Sequence, residues 1–287
     1  HTDTEGRSLF LCPAHVAELR STTGAGALLF GQQVALYPKW GLAEADYTSI
    51  PSADGISQAA LADVPPGTDG YALVQQLFGS PASIRLTRVR AVRNPLLQQS
   101  FEAFLGSTAD GRLHGGDLFN ANFPHDGEKE PVYARLSARF LPGINLHRTH
   151  VFYAWQGCSD GAALSICQRG PKDFRTTDGG YFGAGPYVTL QPEYAAGYAA
   201  GTYNIPTMGA GNCQVEDKEY SMILGLVAVG NVYPVTRAAD YLKPGVNMSR
   251  FHFEYGGSRT DKALEAGFDA HVITVSDAED WQAAKKE

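Results

Sequence analysis

Cysteine is scarce. Cys12, Cys158, Cys167 and Cys213 are the four in 287 residues, and no two stand in a C-x-x-C pair. The count excludes a disulfide-stapled scaffold and the dispersal excludes a zinc knuckle, so buried free thiols are expected, with one bridge left open for an extracellular setting. Positive charge is also in deficit, with 23 Lys and Arg against 30 Asp and Glu, a net charge of −7. A phosphate backbone or an anionic bilayer asks for the opposite balance. Nucleic acid and membrane are therefore not expected partners. Apolar runs stay well short of the ~20 residues that a spanning helix needs. His114, Asp117, His125 and Asp126 lack tight ligand spacing, so they read as loop and no metal site is expected. No internal repeat, low-complexity tract or long charge block breaks up the chain. The opening His1-Thr2-Asp3-Thr4 carries no hydrophobic leader and reads as a trimmed boundary or a tag remnant.

What is present is enough apolar material, 44% of residues, for one large domain with an extension. Residues 1–68 are the least patterned part. Pro13 to Leu19 reads as an amphipathic helix, Val34 to Trp40 as a strand stopped at proline, and Ser57 to Asp63 as one or two helical turns. Val64 to Gly70, with Pro65, Pro66 and Gly67, reads as a linker. The extension of residues 1–68 is expected to dock on a main domain of residues 69–287. In that domain Tyr71 to Phe78 has helical spacing and is closed by Gly79-Ser80-Pro81. Ile84 to Val92 alternates as a strand. Asn94 then caps a helix whose first position is Pro95. Pro131 to Leu141 leans to helix. Tyr220 to Val235 is a long apolar strand interrupted at Gly230, and Gly267 to Val275 holds a final strand. Runs of both kinds in one chain give an α+β class.

The chain is organised around Val151 to Tyr198. An apolar strand leads to a small-residue helix, then to a loop with Gly179, Gly180, Gly183 and Gly185. A short strand from Gly185 to Thr189 follows, then a helix carrying Tyr194 and Tyr198. Glycines there let main chain approach a flat ligand, because no Cβ intervenes.

This run resembles the signature of the poly(ADP-ribose) polymerase-like ADP-ribosyltransferases, in which a strand ending in His-Gly-Ser/Thr precedes a Gly-x-Gly-x-Tyr strand and a second tyrosine on a helix. Phe152-Tyr153-Ala154-Trp155 is set against Phe-His-Gly-Thr, Gly183-Ala184-Gly185-Pro186-Tyr187 against Gly-x-Gly-x-Tyr, and Tyr198 against the ring-stacking tyrosine. Val92-Arg93-Asn94-Pro95-Leu96-Leu97-Gln98 is similar to the Val-Gln-Asn-Pro-x-Leu-Trp of the mono-transferase branch. The likeness covers about residues 70 to 280 and implies the ADP-ribosyltransferase fold, with two packed mixed or antiparallel sheets and flanking helices. It further implies NAD as substrate, transfer of one ADP-ribose to a protein side chain, and release of nicotinamide.

Roles follow residue by residue from the resemblance. Tyr153 replaces the histidine that holds a ribose. Ala154 stands where a glycine backbone grips the nicotinamide amide, and Trp155 stacks or narrows the pocket. Tyr187 and Tyr198 flank the ring beside Gly183 and Gly185, while Arg175 meets pyrophosphate, adenine or solvent. The serine that bonds the amide is Ala195 here. The catalytic glutamate falls on Ala270, which leaves Asp269 as first choice, then Glu193, then Glu265; His271 reads as a satisfied strand histidine. Without the usual glutamate the product is expected to be mono-ADP-ribose. The arrangement is similar to bacterial effectors of the CteC kind, which modify ubiquitin on threonine. That implies a monomeric, secreted effector acting in a host cytosol on ubiquitin, with an ordinary cytoplasmic enzyme as the other placement. An inactive module that binds NAD or ADP-ribose, and a scaffold whose cleft Trp155 fills, are the competing readings.

Overall fold

Side-chain caps start three of the described helices. Thr68 Oγ1 donates to the Pro65 carbonyl at 3.0 Å and accepts the Tyr71 N–H at 3.3 Å, starting α1 (Asp69–Phe78), which Gly79 closes at φ 69°. Asn94 Oδ1 accepts the Leu97 N–H at 3.2 Å and opens α2 (Pro95–Gly111). The same side chain turns its amide toward α3 (Asp160–Arg169), donating to the Cys167 and Gln168 carbonyls at 2.9 Å each. One buried asparagine thus caps the start of α2 and the end of α3. Asn94→Ala is expected to lower stability by about 2 kcal/mol in chemical denaturation, with Asn94→Ser, which keeps a cap but loses the bridge, in between. Pro192 at the first turn begins α4 (Pro192–Ala199).

The computed structural model describes residues 10–11, 39–51, 55, 58–81, 83–111, 134, 136–141, 150–171, 185–201, 219–230, 232–235, 240, 250–251, 265 and 268–273. Within them the strands form two antiparallel sheets and a parallel pair. The central sheet has the order β1 (Phe10–Leu11), β6 (Met222–Val229), β5 (His150–Gly157), with His150 opposite Val229 and Gly157 opposite Met222. A second sheet has the order β2 (Thr48–Ser49), β3 (Ala60–Asp63), β4 (Arg90–Arg93). β7 (Val232–Val235) pairs in parallel with β8 (Ala270–Ile273). The architecture is α+β.

Both faces of β5 are covered, which is why its sequence is apolar without alternation. Val151 and Tyr153 pack against Phe101 and Leu105 of α2. Trp155, on the same face, meets Phe78 edge-on at 6.0 Å between ring centroids and shares a cluster with Trp40, Val74 and Ala195. Phe152 and Ala154 face the other way, toward Leu136, Val188, Leu190, Val232 and Ala270. Full burial of side chains of this size contributes roughly 1.5–3 kcal/mol each, so β5 is the structural centre.

Several elements differ from the sequence expectation. Ala60 to Asp63 is strand β3 rather than helix. Its four residues pair with β4 along their whole length, and that tertiary pairing overrides a composition with weak strand preference. The expected strand from Ile84 is ordered as strand only over Arg90–Arg93. The Val64–Gly70 segment holds a buried Val64 and the first residues of α1 rather than a free linker. Across residue 68, the Gly70 N–H donates to the Lys39 carbonyl at 3.2 Å, and a Cβ on Gly70 would run into the Trp40 ring. Ala134 and Leu136 are helical, as expected for that stretch. The expected helix at Pro13 to Leu19 and most of the strand from Val34 lie outside the described residues. Among the described residues, no helix is long and apolar enough to cross a membrane.

Candidate functional site

In an antiparallel ladder the N–H and C=O of successive residues alternate between the two edges of a strand. On β5 the outer edge belongs to the odd residues. The Val151 carbonyl accepts the Leu141 N–H at 2.8 Å, and Trp155 exchanges both backbone bonds with Thr189 at 2.7 and 2.8 Å. Ala154 therefore turns its main chain inward, to β6, where it stands opposite Gly225. Its backbone is taken up by the sheet, at the position where the resemblance implied an amide grip. Gly157 turns outward, and among the described residues its N–H and C=O meet no backbone partner.

Beyond the Trp155–Thr189 bridge, the 185–188 segment runs on toward the Gly157 end of β5. Val188 and Leu190 pack on the Phe152 and Ala154 side, so alternation puts Tyr187 on the opposite face, where it is 39% exposed. Helix α4 lies on that same face. The Gln191 N–H donates to Thr189 Oγ1 at 3.1 Å, and Ala195 joins the Trp155 cluster. The Ala195 carbonyl sits directly over Gly157: a Cβ there would lie 2.6 Å from the carbonyl carbon. Farther along α4, the Tyr194 and Tyr198 rings meet edge-on at 5.3 Å with their hydroxyls 3.3 Å apart. The structure thus brings Tyr187 and the helix bearing Tyr198 to one face at one end of β5.

The other predicted residues are placed differently. Tyr153 is 8% exposed inside the α2 cluster, and burial pushes its phenol well above the ordinary range. That ring is part of the core rather than of the open edge. Trp155, 4% exposed, fills the interior against α1. Asp269 lies at the far end: a Cβ on Gly230 would stand 3.4 Å from its Cγ, and Gly230 follows Val229, the partner of His150. Seven steps along the strand from His150, at about 3.3 Å each, separate that end from Gly157, roughly 23 Å. The structure does not bring Asp269 to Tyr187. Glu265 is engaged with Arg250 at 2.6 Å. Glu193 is exposed in the first turn of α4 and is the nearest of the three candidates in chain and fold to Tyr187. Among the described residues, a Cβ on Gly185 would meet nothing within 4 Å. Arg175 and Gly183 lie outside the described residues.

Two residues at this end went unnoticed in the sequence, Gln156 and Gly157. Gln156 is 8% exposed and, among the described residues, its Oε1 has no hydrogen-bond partner. A buried acceptor without a partner costs roughly 1–3 kcal/mol, and alternation along β5 puts this one on the Phe152 and Ala154 face, away from Tyr187. The signal was a glycine closing an otherwise bulky strand. Next to it, burial pushes the Cys158 thiol up to about 11, so it stays protonated at neutral pH and is no nucleophile. What the edge offers is an adjacent backbone donor and acceptor beside an exposed phenol ring. That combination matches a planar ring bearing a primary amide, whose carbonyl and NH2 need one of each. No family model matches the chain, and no curated protein matches it.

Proposed function

We propose that the protein is a mono-ADP-ribosyltransferase with the ADP-ribosyltransferase fold, moving ADP-ribose from NAD to a protein side chain and releasing nicotinamide. The observation that carries this reading is the open backbone edge of Gly157 beside Tyr187, under the helix that bears Tyr198. It also moves the resemblance by three residues. The family's strand ends in His-Gly-Ser/Thr, and β5 ends in Gln156-Gly157 followed by Cys158. Gln156 then takes the place of the histidine and Gly157 that of the amide-gripping glycine, in exchange for Tyr153 and Ala154.

In this reading Gly157 fixes the carboxamide and Tyr187 stacks on the pyridinium. As the C1′–N bond breaks, the ring leaves as neutral nicotinamide, the ribose carries oxocarbenium character, and the acceptor oxygen or nitrogen bonds to C1′ and loses its proton. Catalysis comes from binding that state better than NAD. Glu193 replaces Asp269 as the carboxylate best placed to stabilise it. Ubiquitin threonine remains the proposed acceptor, in the setting of a secreted effector. A second reading, an NAD- or ADP-ribose-binding module without catalysis, is favoured by one fact: Asp269 and Tyr187 stand at opposite ends of β5.

The test is incubation of the full chain with NAD, ubiquitin and, separately, a cell lysate, reading nicotinamide release and the mass gain of one ADP-ribose. One modified species is expected, with kcat/KM falling about tenfold to a hundredfold in Tyr187→Ala, the value of one lost ring stack. A thermal shift with NAD but no transfer selects the binding module. Neither response overturns both.

A further inference from the structure

Away from that edge, a ring of aromatic and charged side chains joins β7 to β8. Tyr233 of β7 stands edge-on to Phe251 at 5.7 Å and to Phe268 at 5.1 Å, and His271 of β8 lies 4.3 Å from Phe251 between ring centroids. Arg250 passes over the Phe251 ring at 4.3 Å and bonds three oxygens: Asp240 Oδ1 at 2.9 Å, the Tyr233 hydroxyl at 3.1 Å and Glu265 Oε2 at 2.6 Å. Glu265 is held a second time through its main chain, because its N–H donates to His271 Nε2 at 2.8 Å.

A backbone N–H can only donate, so this bond needs a bare Nε2 and, in the neutral ring, the proton on Nδ1. The geometry points to a proton-controlled latch: uptake of a proton at His271 removes the acceptor that holds Glu265, freeing the segment that leads into β8. Among the described residues, the Tyr233 ring of β7 and the Phe251 ring pack on the imidazole at 5.5 and 4.3 Å; Arg250, whose charge opposes a second cation, lies over both rings, Asp240 and Glu265 carry negative charges bonded to it, and Asp269 stands two residues before His271. A protonated Nε2 is itself a donor, so it faces the Glu265 N–H donor to donor and that bond is lost. Above the titration of His271 the latch is closed, and acidification opens it.

The experiment is amide hydrogen exchange of the full chain, read at the Glu265 amide as a protection factor corrected for the intrinsic pH dependence. From pH 7.5 to 5.5 that factor is expected to fall roughly tenfold, about one hydrogen bond's worth, while amides in β5 keep theirs. His271→Phe is expected to show the low value at both pH values. Should that variant fail to fold, His271→Gln, which offers an acceptor that does not titrate, is expected to hold one protection factor across the range. A constant protection factor in the unsubstituted chain, or a nitrogen NMR spectrum showing the neutral His271 protonated on Nε2, overturns the latch.

Discussion

Gly157→Ala is expected to cost about 3 kcal/mol in chemical denaturation and to disturb the Tyr187 edge more than any other single methyl group. The reason is geometric. A Cβ at this position meets the Ala195 carbonyl carbon at 2.6 Å and its Cα at 3.0 Å, and these are backbone atoms that no rotamer change can move aside. Relief requires α4 to shift off β5. Ala195, which shares a cluster with Trp155, Trp40 and Val74, must then leave its packing. Overpacking of this kind commonly costs about 1–3 kcal/mol, and main-chain obstruction lies at the upper end. The substitution also restricts the unfolded chain, which offsets up to about 1 kcal/mol. Gly185→Ala is the internal control: among the described residues its Cβ meets nothing within 4 Å, and the change is expected to stay within about 0.5 kcal/mol. If Gly157→Ala were as mild as Gly185→Ala, α4 would not rest on Gly157, and the open edge would lose its roof.

The parts of this fold that can be read from sequence are those decided locally. Asn94-Pro95 announces α2, Gly79 closes α1, and Gly230 divides β6 from β7, because caps and turns act over three or four residues. β3 cannot be read that way. Ala60-Leu61-Ala62-Asp63 has no β-branched residue, and it is a strand because β4 lies beside it. The site divides along the same line. Tyr187 and its glycines are visible as a motif. The register of β5 is not, since both of its faces are buried and every residue from Val151 to Gln156 looks like core. Which residue offers a free N–H and C=O depends on the Trp155–Thr189 bridge, a contact between residues 34 apart in sequence (189 − 155 = 34). A sequence motif alone therefore put the amide grip at Ala154, while the edge pattern leaves Gly157 as the residue whose main chain turns outward.

Asp240→Ala is expected to cost about 3–5 kcal/mol, the range for removing one partner from a buried ion pair. The Asp240 side chain has no exposed surface, and its Oδ1 accepts both the Tyr233 hydroxyl at 2.7 Å and the Arg250 Nε at 2.9 Å. Alanine takes away the oxygen and leaves a guanidinium and a phenol facing rings. Arg250 is 38% exposed, so water recovers part of the loss on the side of Glu265 but cannot reach the Asp240 side. Asp240→Asn keeps the shape and one acceptor but not the charge, and is expected to cost about 1.5–3 kcal/mol. The order Ala, then Asn, then the unsubstituted chain tests whether charge or shape holds the 240 and 250 segments together. The double substitution Asp240→Ala with Arg250→Ala sharpens it. Because the second change removes the charge stranded by the first, the pair is expected to cost less than the sum of the single changes. Strict additivity would mean that the two side chains contribute separately, and that Arg250 is held by Glu265 and the Phe251 ring rather than by Asp240.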